Sequence, residues 1–256
     1  MLEKEQFLQK YSLTDAQLFA AGISWQILEK IYNHYCGIRE SLLPTAKYIA
    51  DALREESHVQ YVKFRLKDPE HLIEKIIRKK RKHPGWQIDE KNYQEIITDL
   101  IGVRAIHLFK RDWLHIHHFV MSNWQQYADP KAYVGCASDE KVVKEYQRQN
   151  CVVRTHPFGY QSIHYLIIAK QNGSQRVAEL QVRTLLEEAW SEIDHQIRYP
   201  YHDDDPIIAE HLKIFNGMIE QLDQMGGIIR ALKNGGADKN KTVNNNHESK
   251  EVEQGL

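Results

Sequence analysis

Hydrophobic and polar residues alternate with period two along residues 177–183, and the period changes directly afterwards. The apolar residues would point to one face of a strand, and the carboxylate, amide and guanidinium of Glu179, Gln181 and Arg183 to the other. From Thr184 onwards apolar residues recur every four positions, and a glutamate follows three residues later, which is the spacing of a capping box. The pattern therefore predicts a strand followed at once by a helix. From this segment alone, the polar face could equally be an ordinary solvated face of an antiparallel sheet.

The same two periodicities predict the other elements of the chain. Helical spacing predicts two helices within 24–54, a helix opened by Asp68-Pro69 and running to 82, and further helices at 90–96, 112–127, 140–148 and from 208 onwards. Alternating or continuous apolar runs predict strands at 58–66, 103–109 and 162–169, and Asn172-Gly173 predicts a hairpin between the last of these and the strand 176–183. The rest of 128–156 is polar, and we expect an irregular, mobile segment over an active site.

Composition narrows the class of protein. The chain has 256 residues, of which 42% are hydrophobic and 27% charged, and its formal net charge is −1. These values are typical of a globular protein with one good-sized core or two small ones, and they argue against nucleic-acid binding by the whole surface. The first ten residues are charged and no apolar run approaches about 18 residues, so we expect neither a signal peptide nor a membrane span. The three cysteines show no C-x-x-C pair, which favours reduced thiols and a cytoplasmic protein.

Positive charge is concentrated between Lys63 and Lys82, where nine Lys or Arg residues accompany three acidic ones. A basic run is most often a solvated helix face. Here, however, Arg65 and Lys67 share one face of a predicted strand and stand directly before a helix. Cations beside the N–H groups of a helix N-terminus are what a polyphosphate requires. The segment by itself leaves phosphate binding and a solvated surface equally open.

A second charged pair accompanies the buried strand 103–109. Asp99 precedes this strand and Arg104 interrupts its apolar run. In the structural interpretation Asp99 caps a turn and Arg104 neutralises its charge. In the functional interpretation Asp99 is a metal-binding carboxylate at the end of a strand. The spacing of the residues does not decide between the two.

Four stretches, RLKDPEHLIEKI, ITDLIGVRAI, HPFGYQSIHYLI and AELQVRTLLEEAWSEIDHQIRY, follow one another in this order. Together they closely resemble the synthetase domain of RelA/SpoT-type alarmone synthetases, over more than half of the chain. The resemblance implies an α+β fold, in which a mixed β-sheet flanked by helices forms a nucleotidyltransferase-like synthetase domain with N- and C-terminal helices. It also implies a reaction, the transfer of the β,γ-pyrophosphate of ATP to the 3′-hydroxyl of GTP or GDP.

The resemblance also implies roles for individual residues. Asp99 and Glu179 would bind Mg²⁺, and Glu179 would accept the proton of the 3′-hydroxyl, with Gln181 as the third catalytic residue. The ATP-binding residues would be Arg65, which stacks on adenine, together with Lys67, Lys75, Arg78 and Arg104. The acceptor-binding residues would be Tyr160, which stacks on the base, together with His164, Arg183 and His195.

Two positions depart from the family's pattern. Phe158 stands where the family usually has an asparagine that helps to read guanine, and phenylalanine has no hydrogen-bonding group. His71 replaces a usual serine near the ATP site. The resemblance is to the small, single-domain synthetases, because no hydrolase-type His and Asp motifs precede the synthetase motifs. We therefore expect an N-terminal helical segment at 1–55, the synthetase core at 56–201, a C-terminal helix at 202–234 and a disordered tail at 235–256.

Three alternatives remain open at this point. The acceptor could be an adenine nucleotide or the 3′ end of tRNA, whose phosphates the basic helix up to Lys82 would contact. The chain could be a non-catalytic nucleotide-binding regulator, although both metal-binding carboxylates are present. It could also be an oligomeric scaffold, since apolar residues from Ile208 to Ile229 alternate spacings of four and three and predict a heptad seam. Such a seam serves either as a helix packed on its own domain or as a contact between the subunits of a homo-oligomer, and we expect a homo-oligomer.

Overall fold

The structure, a computed structural model, describes residues 2–135, 140–171, 173–198 and 205–251, with side chains as far as residue 235. Asn172 of the expected hairpin turn and the expected boundary between the core and the C-terminal helix at 201/202 lie outside the described residues. The helices are α1 (Lys4–Lys10), α2 (Asp15–Ala20), α3 (Trp25–Ile38), α4 (Leu43–Arg54), α5 (Pro69–Lys82), α6 (Tyr93–Ile96), α7 (Trp113–Asn123), α8 (Glu140–Arg148), α9 (Leu185–Arg198) and α10 (Pro206–Glu251). The strands are β1 (Tyr61–Leu66), β2 (Ile101–His107), β3 (Gln125–Val134), β4 (Val152–Thr155), β5 (Ser162–Gln171) and β6 (Ser174–Thr184).

Within the described residues the strands form one six-stranded mixed sheet in the order β1-β2-β6-β5-β3-β4. The pairs β2/β6 and β3/β4 are parallel, and the other three pairs are antiparallel. The predicted hairpin is confirmed, since β5 pairs with β6 as far as Gln171 and Ser174. The α+β class and the mixed sheet flanked by helices are therefore confirmed.

The alternation in β6 divides the sheet into an apolar face and a polar face. On the apolar face, Leu180 pairs with Val103 of β2 and with Tyr165 of β5, and all three side chains are fully buried. Helix α7 packs on this face, where the hydroxyl of Tyr165 lies 3.1 Å from Nδ1 of His117. One continuous buried cluster joins the sheet to the N-terminal helices, from Leu2 onwards. The polar face carries Arg104 and Arg183, and helix α9 packs on it, where Glu188 pairs with both arginines.

Local sequence signals correctly predict how several helices begin. The Asp68 carboxylate accepts hydrogen bonds from the N–H groups of Glu70 and His71 and so caps α5. The capping box at the start of α9 is also present: Thr184 N–H donates to Glu187 at 2.7 Å, and Glu187 N–H donates back to Thr184 Oγ1 at 3.1 Å.

Other expectations are wrong. The segment 128–156 was expected to be irregular, yet it contains most of β3 and all of β4, which continue the sheet beyond β5. β3 carries register irregularities between Gln126 and Lys131, and these interrupt the alternation of buried and exposed positions that would reveal a strand. The helix expected at 112–127 ends at Asn123, and the Asp112 side chain accepts bonds from Arg230 of α10 instead of capping α7.

Helix α10 is longer than the sequence predicts, and some of its apolar residues are buried whereas others are exposed. Its backbone is helical to Glu251, through residues expected to form a disordered tail. Of the predicted seam, Leu212 and Ile219 are buried against the chain's own fold, whereas Leu222 and Ile229 are 55% and 61% exposed. Among the described residues, no helix combines the length and the apolar character that crossing a membrane requires.

Candidate active site

Polar side chains form two rows across the sheet, because strand pairing places them side by side. In the first row, Lys63 of β1 pairs with Arg104 of β2, which pairs with Gln181 of β6, which pairs with His164 of β5. In the second row, two positions further along each strand, Arg65 pairs with Gly102, and Gly102 pairs with Glu179. Residues two apart on a strand share a face, so both rows project from the same side of the sheet.

Apart from His164, the residues of these rows line one cleft. The cleft is lined by Lys63, Phe64, Arg65, Asp99, Gly102, Val103, Arg104, Glu179, Gln181, Glu192 and His195. Three cations, Lys63, Arg65 and Arg104, accompany three carboxylates in this lining, and the two carboxylates expected to bind metal are both among them. The geometry therefore brings together most of the residues that the sequence assigned to the ATP and metal sites.

Two lysines hold Asp99 at one end of the cleft. Oδ2 of Asp99 lies 2.8 Å from Nζ of Lys67 and 2.7 Å from Nζ of Lys75. Burial alone would raise the pKa of Asp99, but the two ammonium groups outweigh it and hold this pKa far below its usual range. Burial lowers the pKa of Lys67 even though Asp99 opposes this. Because the carboxylate is so strongly acidic, we infer that it is ionised at neutral pH. Asp99, Lys67 and Lys75, here called the Asp99 cluster, then carry two positive charges against one negative charge.

Arg104 does not pair with Asp99, so the structural interpretation, in which it neutralises the Asp99 charge, is wrong. Nη1 of Arg104 lies 2.7 Å from Oε1 of Glu188 and also contacts Glu192, both on α9. These carboxylates outweigh burial and raise the pKa of Arg104. Arg104 lines the cleft, but it is fixed by the start of α9 and not by the Asp99 cluster.

The N-terminal helices support the Asp99 cluster through the backbone of Lys67. The hydroxyl of Tyr35 and Nε of Arg39 donate to the Lys67 carbonyl, at 2.8 Å and 3.2 Å. Tyr35 is fully buried, so these bonds fix the chain where β1 leads into α5. Sequence reasoning missed both residues, because nothing in the helical pattern of α3 indicates a partner about thirty positions away.

Glu179 occupies the centre of the polar face and is held from both sides. Nε2 of Gln181 donates to Oε2 of Glu179 at 3.0 Å, and Nδ1 of His164 lies 3.3 Å from Oε1. Burial would raise the pKa of Glu179, but His164 outweighs it and the pKa is lowered. The carboxylate is therefore ionised and oriented at neutral pH.

The Asp99 and Glu179 carboxylates fit a hard divalent cation. Oδ1 of Asp99 is buried, and within the described residues it has no hydrogen-bond partner. Glu179 lines the same cleft. Mg²⁺ prefers one or two carboxylate oxygens and keeps further positions for water and phosphate. An unsatisfied carboxylate oxygen in a cleft that contains a second carboxylate is the donor set this ion requires.

The residues expected to bind the acceptor lie beside Glu179. The hydroxyl of Tyr160 is hydrogen-bonded to Nε2 of His164 at 2.8 Å, so one imidazole connects the tyrosine with Glu179. The guanidinium of Arg183 lies 5.5 Å from the centre of the Tyr160 ring and donates to Oε1 of Gln181. Arg183 is 1% exposed, and its Nη1 has no hydrogen-bond partner among the described residues.

Three further residues differ in how closely they approach the site. His195 lines the same cleft as Arg65, and burial followed by the Arg65 charge lowers its pKa. Arg78 forms an ion pair with Glu74 one turn away on α5 and is absent from the described cleft lining. Phe158 packs under the guanidinium of Arg198, which lies 3.9 Å from the ring centre.

Comparison with known proteins gives a consistent result. The sequence model described as the region found in RelA / SpoT proteins matches residues 64–204. The GTP pyrophosphokinase YwaC of Bacillus subtilis (strain 168) is 29% identical over 152 residues, which are 58% of this chain. The match spans 62% of that relative's own length.

Solved structures show the same fold. The small alarmone synthetase 1 from Bacillus subtilis superposes with a TM-score of 0.55 at 21% identity, over 79% of this chain and 95% of that chain. The same synthetase bound to its product pppGpp gives a TM-score of 0.52 at 19% identity, over 77% and 93% of the two chains. The RelA/SpoT match covers more than half of the chain and includes the strands that carry the cleft, and the chain therefore belongs to the RelA/SpoT family.

Proposed function

We propose that this protein is an ATP:nucleotide 3′-pyrophosphotransferase, which transfers the β,γ-pyrophosphate of ATP to the 3′-hydroxyl of GTP or GDP. A bond forms between the 3′-oxygen and the β-phosphorus, the bond from the β-phosphorus to the bridging oxygen of the α-phosphate breaks, and AMP leaves. The observation that carries this proposal is that Asp99, which is paired with Lys67 and Lys75, lines the same cleft as the ionised Glu179.

The ATP half of the site follows from charge. The Asp99 cluster has an excess positive charge, which attracts the phosphate anions of ATP. We assign the ATP phosphates to Lys67 and Lys75, and adenine to the guanidinium of Arg65, which lines the cleft. Arg78 remains an assignment from family resemblance alone. Arg104 would contact the phosphates from the position in which Glu188 and Glu192 of α9 hold it.

The acceptor half follows from the groups around Tyr160. The Tyr160 ring would stack on the acceptor base, and the buried Arg183, which donates to Gln181 and pairs with Glu188, would brace this side of the site. His164 bonds both Tyr160 and Glu179, so it fixes the distance between base and catalytic carboxylate. Glu179 would take the proton from the 3′-hydroxyl, and Gln181, which donates to Oε2 of Glu179, would orient this carboxylate.

Asp99 and Glu179 would hold Mg²⁺, which in phosphoryl transfer neutralises charge on the phosphate oxygens. We place the reaction in the cytoplasm, where both nucleotides occur. Cys36 and Cys151 are free among the described residues, which agrees with that compartment.

The deciding experiment measures pyrophosphate transfer from labelled ATP with purified protein. Asp99→Asn and Glu179→Gln each remove a hard anionic ligand at nearly constant volume, and each should lower the rate by roughly a thousandfold or more. Asp51→Asn, the same change at an exposed site on α4, is the matched control and should keep wild-type activity. A variant at Asp99 or Glu179 that retains a tenth of wild-type activity would remove that residue from the metal site.

A second candidate keeps the chemistry but changes the acceptor to an adenine nucleotide or the 3′ end of tRNA. It is favoured by Phe158, whose ring is covered by Arg198 and offers no hydrogen bond to guanine. Parallel assays with GDP, GTP, ATP and deacylated tRNA separate these acceptors. Transfer to none of them would instead support the non-catalytic nucleotide-binding regulator.

We also propose that the protein forms a homo-oligomer through α10. Its outward side exposes a second apolar stripe that includes Ile214, Met218 and Met225, each more than half exposed. These residues lie at helical spacings of four and seven, as in a helix-packing seam. A second copy of the same helix would cover this stripe.

A further inference from the structure

Helix α10 contacts the loop that carries Tyr160. Gly159, the residue before Tyr160, has φ +82°, a conformation that L side chains rarely adopt. A Cβ added to Gly159 would lie 2.6 Å from Oδ1 of Asn216 on α10. Asn216 is 6% exposed, so its side chain is enclosed between α10 and this loop.

Two hydrogen bonds shape the turn at Gly159. Gly159 N–H donates to the His156 carbonyl at 3.0 Å, and Phe158 N–H donates to Nδ1 of His156 at 3.4 Å. Both bonds are internal to the turn, and the loop is attached to the sheet on either side of it, where His156 N–H donates to the Val134 carbonyl at 2.9 Å and the Tyr160 hydroxyl is hydrogen-bonded to His164. Glycine loses more conformational freedom on ordering than any other residue, and a turn built on it benefits most from an external contact.

The same helix reaches the neighbouring parts of the acceptor half. Nε1 of Trp190 donates to the Leu212 carbonyl at 3.0 Å, and the Trp190 ring lies 6.3 Å from that of Tyr160. Thr184, directly after Arg183, donates to the buried carboxylate of Asp223 at 2.7 Å. Residues 212, 216 and 223 occur at helical spacing, so one face of α10 lies along the whole acceptor half.

We propose that Asn216 is a positioning residue for the acceptor nucleotide: it holds the backbone of Gly159, and thereby sets where the Tyr160 ring stands relative to Glu179. This proposal rests on the proposed function of Tyr160 as the acceptor-stacking residue. The effect should be confined to the acceptor, because the Asp99 cluster is held by α3 and α5. Asn216 would act through the loop and not by direct contact with either substrate.

The test compares Asn216→Ala with Asn234→Ala, the same substitution at an exposed position on the same helix. For Asn216→Ala we expect KM for the acceptor to rise at least about threefold, and up to a hundredfold if the ring is misplaced by about an ångström. KM for ATP should stay within about twofold, because charge governs that half of the site. Asn234→Ala should leave all constants unchanged. Equal changes in both KM values would indicate a general loss of structure and overturn the proposal.

A second measurement tests the contact itself and does not depend on how well Asn216→Ala folds. Gly159→Ala should impair acceptor use through two causes, the strained φ and the collision with Asn216. In the Asn216→Ala background the two closest atoms, Oδ1 and Cγ, are removed and only the Cβ at 3.2 Å remains, so the same glycine substitution should cost at least about threefold less in kcat/KM. Fully independent effects of the two substitutions would refute the contact.

Tyr160→Ala distinguishes failure of this inference from failure of the proposed function. If Tyr160→Ala raises the acceptor KM and Asn216→Ala does not, only the role of Asn216 is wrong. If neither variant changes the acceptor KM, the acceptor site lies elsewhere and the assignment of Tyr160 fails as well.

Discussion

Replacement of Asp223 by asparagine should stabilise the protein at alkaline pH and have little effect at acidic pH. Asp223 is 3% exposed, and burial is the main cause that raises its pKa, from the ordinary 3.8 to about 7. Glu187 and Glu220 raise the pKa further, whereas the bond from Thr184 and the charge of Lys110 oppose the rise. Its Oδ1 has no hydrogen-bond partner among the described residues.

The direction in which the free energy of unfolding changes with pH follows from whether the folded or the unfolded chain holds the proton. Below about pH 4 the carboxyl is protonated in both the folded and the unfolded chain, and it makes no linked contribution. Between pH 4 and 7 the unfolded chain loses the proton while the folded protein keeps it, so the free energy of unfolding falls as the pH rises. Above pH 7 the folded protein contains a buried carboxylate, and the penalty has reached its full size.

The magnitude is bounded by the same pKa. Each tenfold change in proton affinity corresponds to about 1.4 kcal/mol, so the difference between 3.8 and about 7 limits the penalty to about 4 kcal/mol. Local relaxation reduces this value, and we expect Asp223→Asn to gain about 1–3 kcal/mol at pH 8. An asparagine oxygen can still accept the bond from Thr184, so at pH 4 the two proteins should differ by under about 1 kcal/mol.

Urea unfolding of both proteins at pH 4, 6 and 8 measures this difference directly, because every other titrating group is common to the two chains. Glu187→Gln is the matched control. The Lys110 ammonium, 2.9 Å away, outweighs burial and lowers the pKa of Glu187, so this variant should lose stability at pH 8. If the gain of Asp223→Asn is the same at all three pH values, or if the variant is less stable at pH 8, the reasoning is refuted.

Three further predictions concern the acceptor and the assembly. Tyr160→Ala should raise the KM for the acceptor far more than the KM for ATP, since base stacking contributes about 1–3 kcal/mol. Phe158→Asn should increase the rate with guanine acceptors relative to the rate with adenine acceptors, and an unchanged ratio of these rates would contradict our interpretation of Phe158. Replacing Leu222 and Ile229 together by glutamate should give a folded species of lower mass by light scattering, because both residues are more than half exposed on α10. A wild-type protein that is already monomeric at micromolar concentration would end the oligomer proposal.

Local patterns in the sequence were sufficient to predict the strand and the helices that carry the residues of the candidate active site. The alternation in β6, the Asp68 cap of α5 and the capping box at Thr184 depend on residues two to four positions apart, and the structure contains all of them. Four motifs in order were then sufficient to recognise the family and to select Asp99 and Glu179 as carboxylates of one cleft. Such signals can be identified in the sequence because their physical causes act within one turn of a helix or one repeat of a strand.

Only the tertiary structure decided which distant groups became partners. Arg104 pairs with Glu188, 84 residues away, and not with nearby Asp99, whose partners are two lysines. The contact of Asn216 with Gly159 likewise joins segments that no periodicity connects. A charged side chain on a strand or helix has many possible partners of opposite charge, and the packing of α9 and α10 on the sheet determines which of them come within bonding distance.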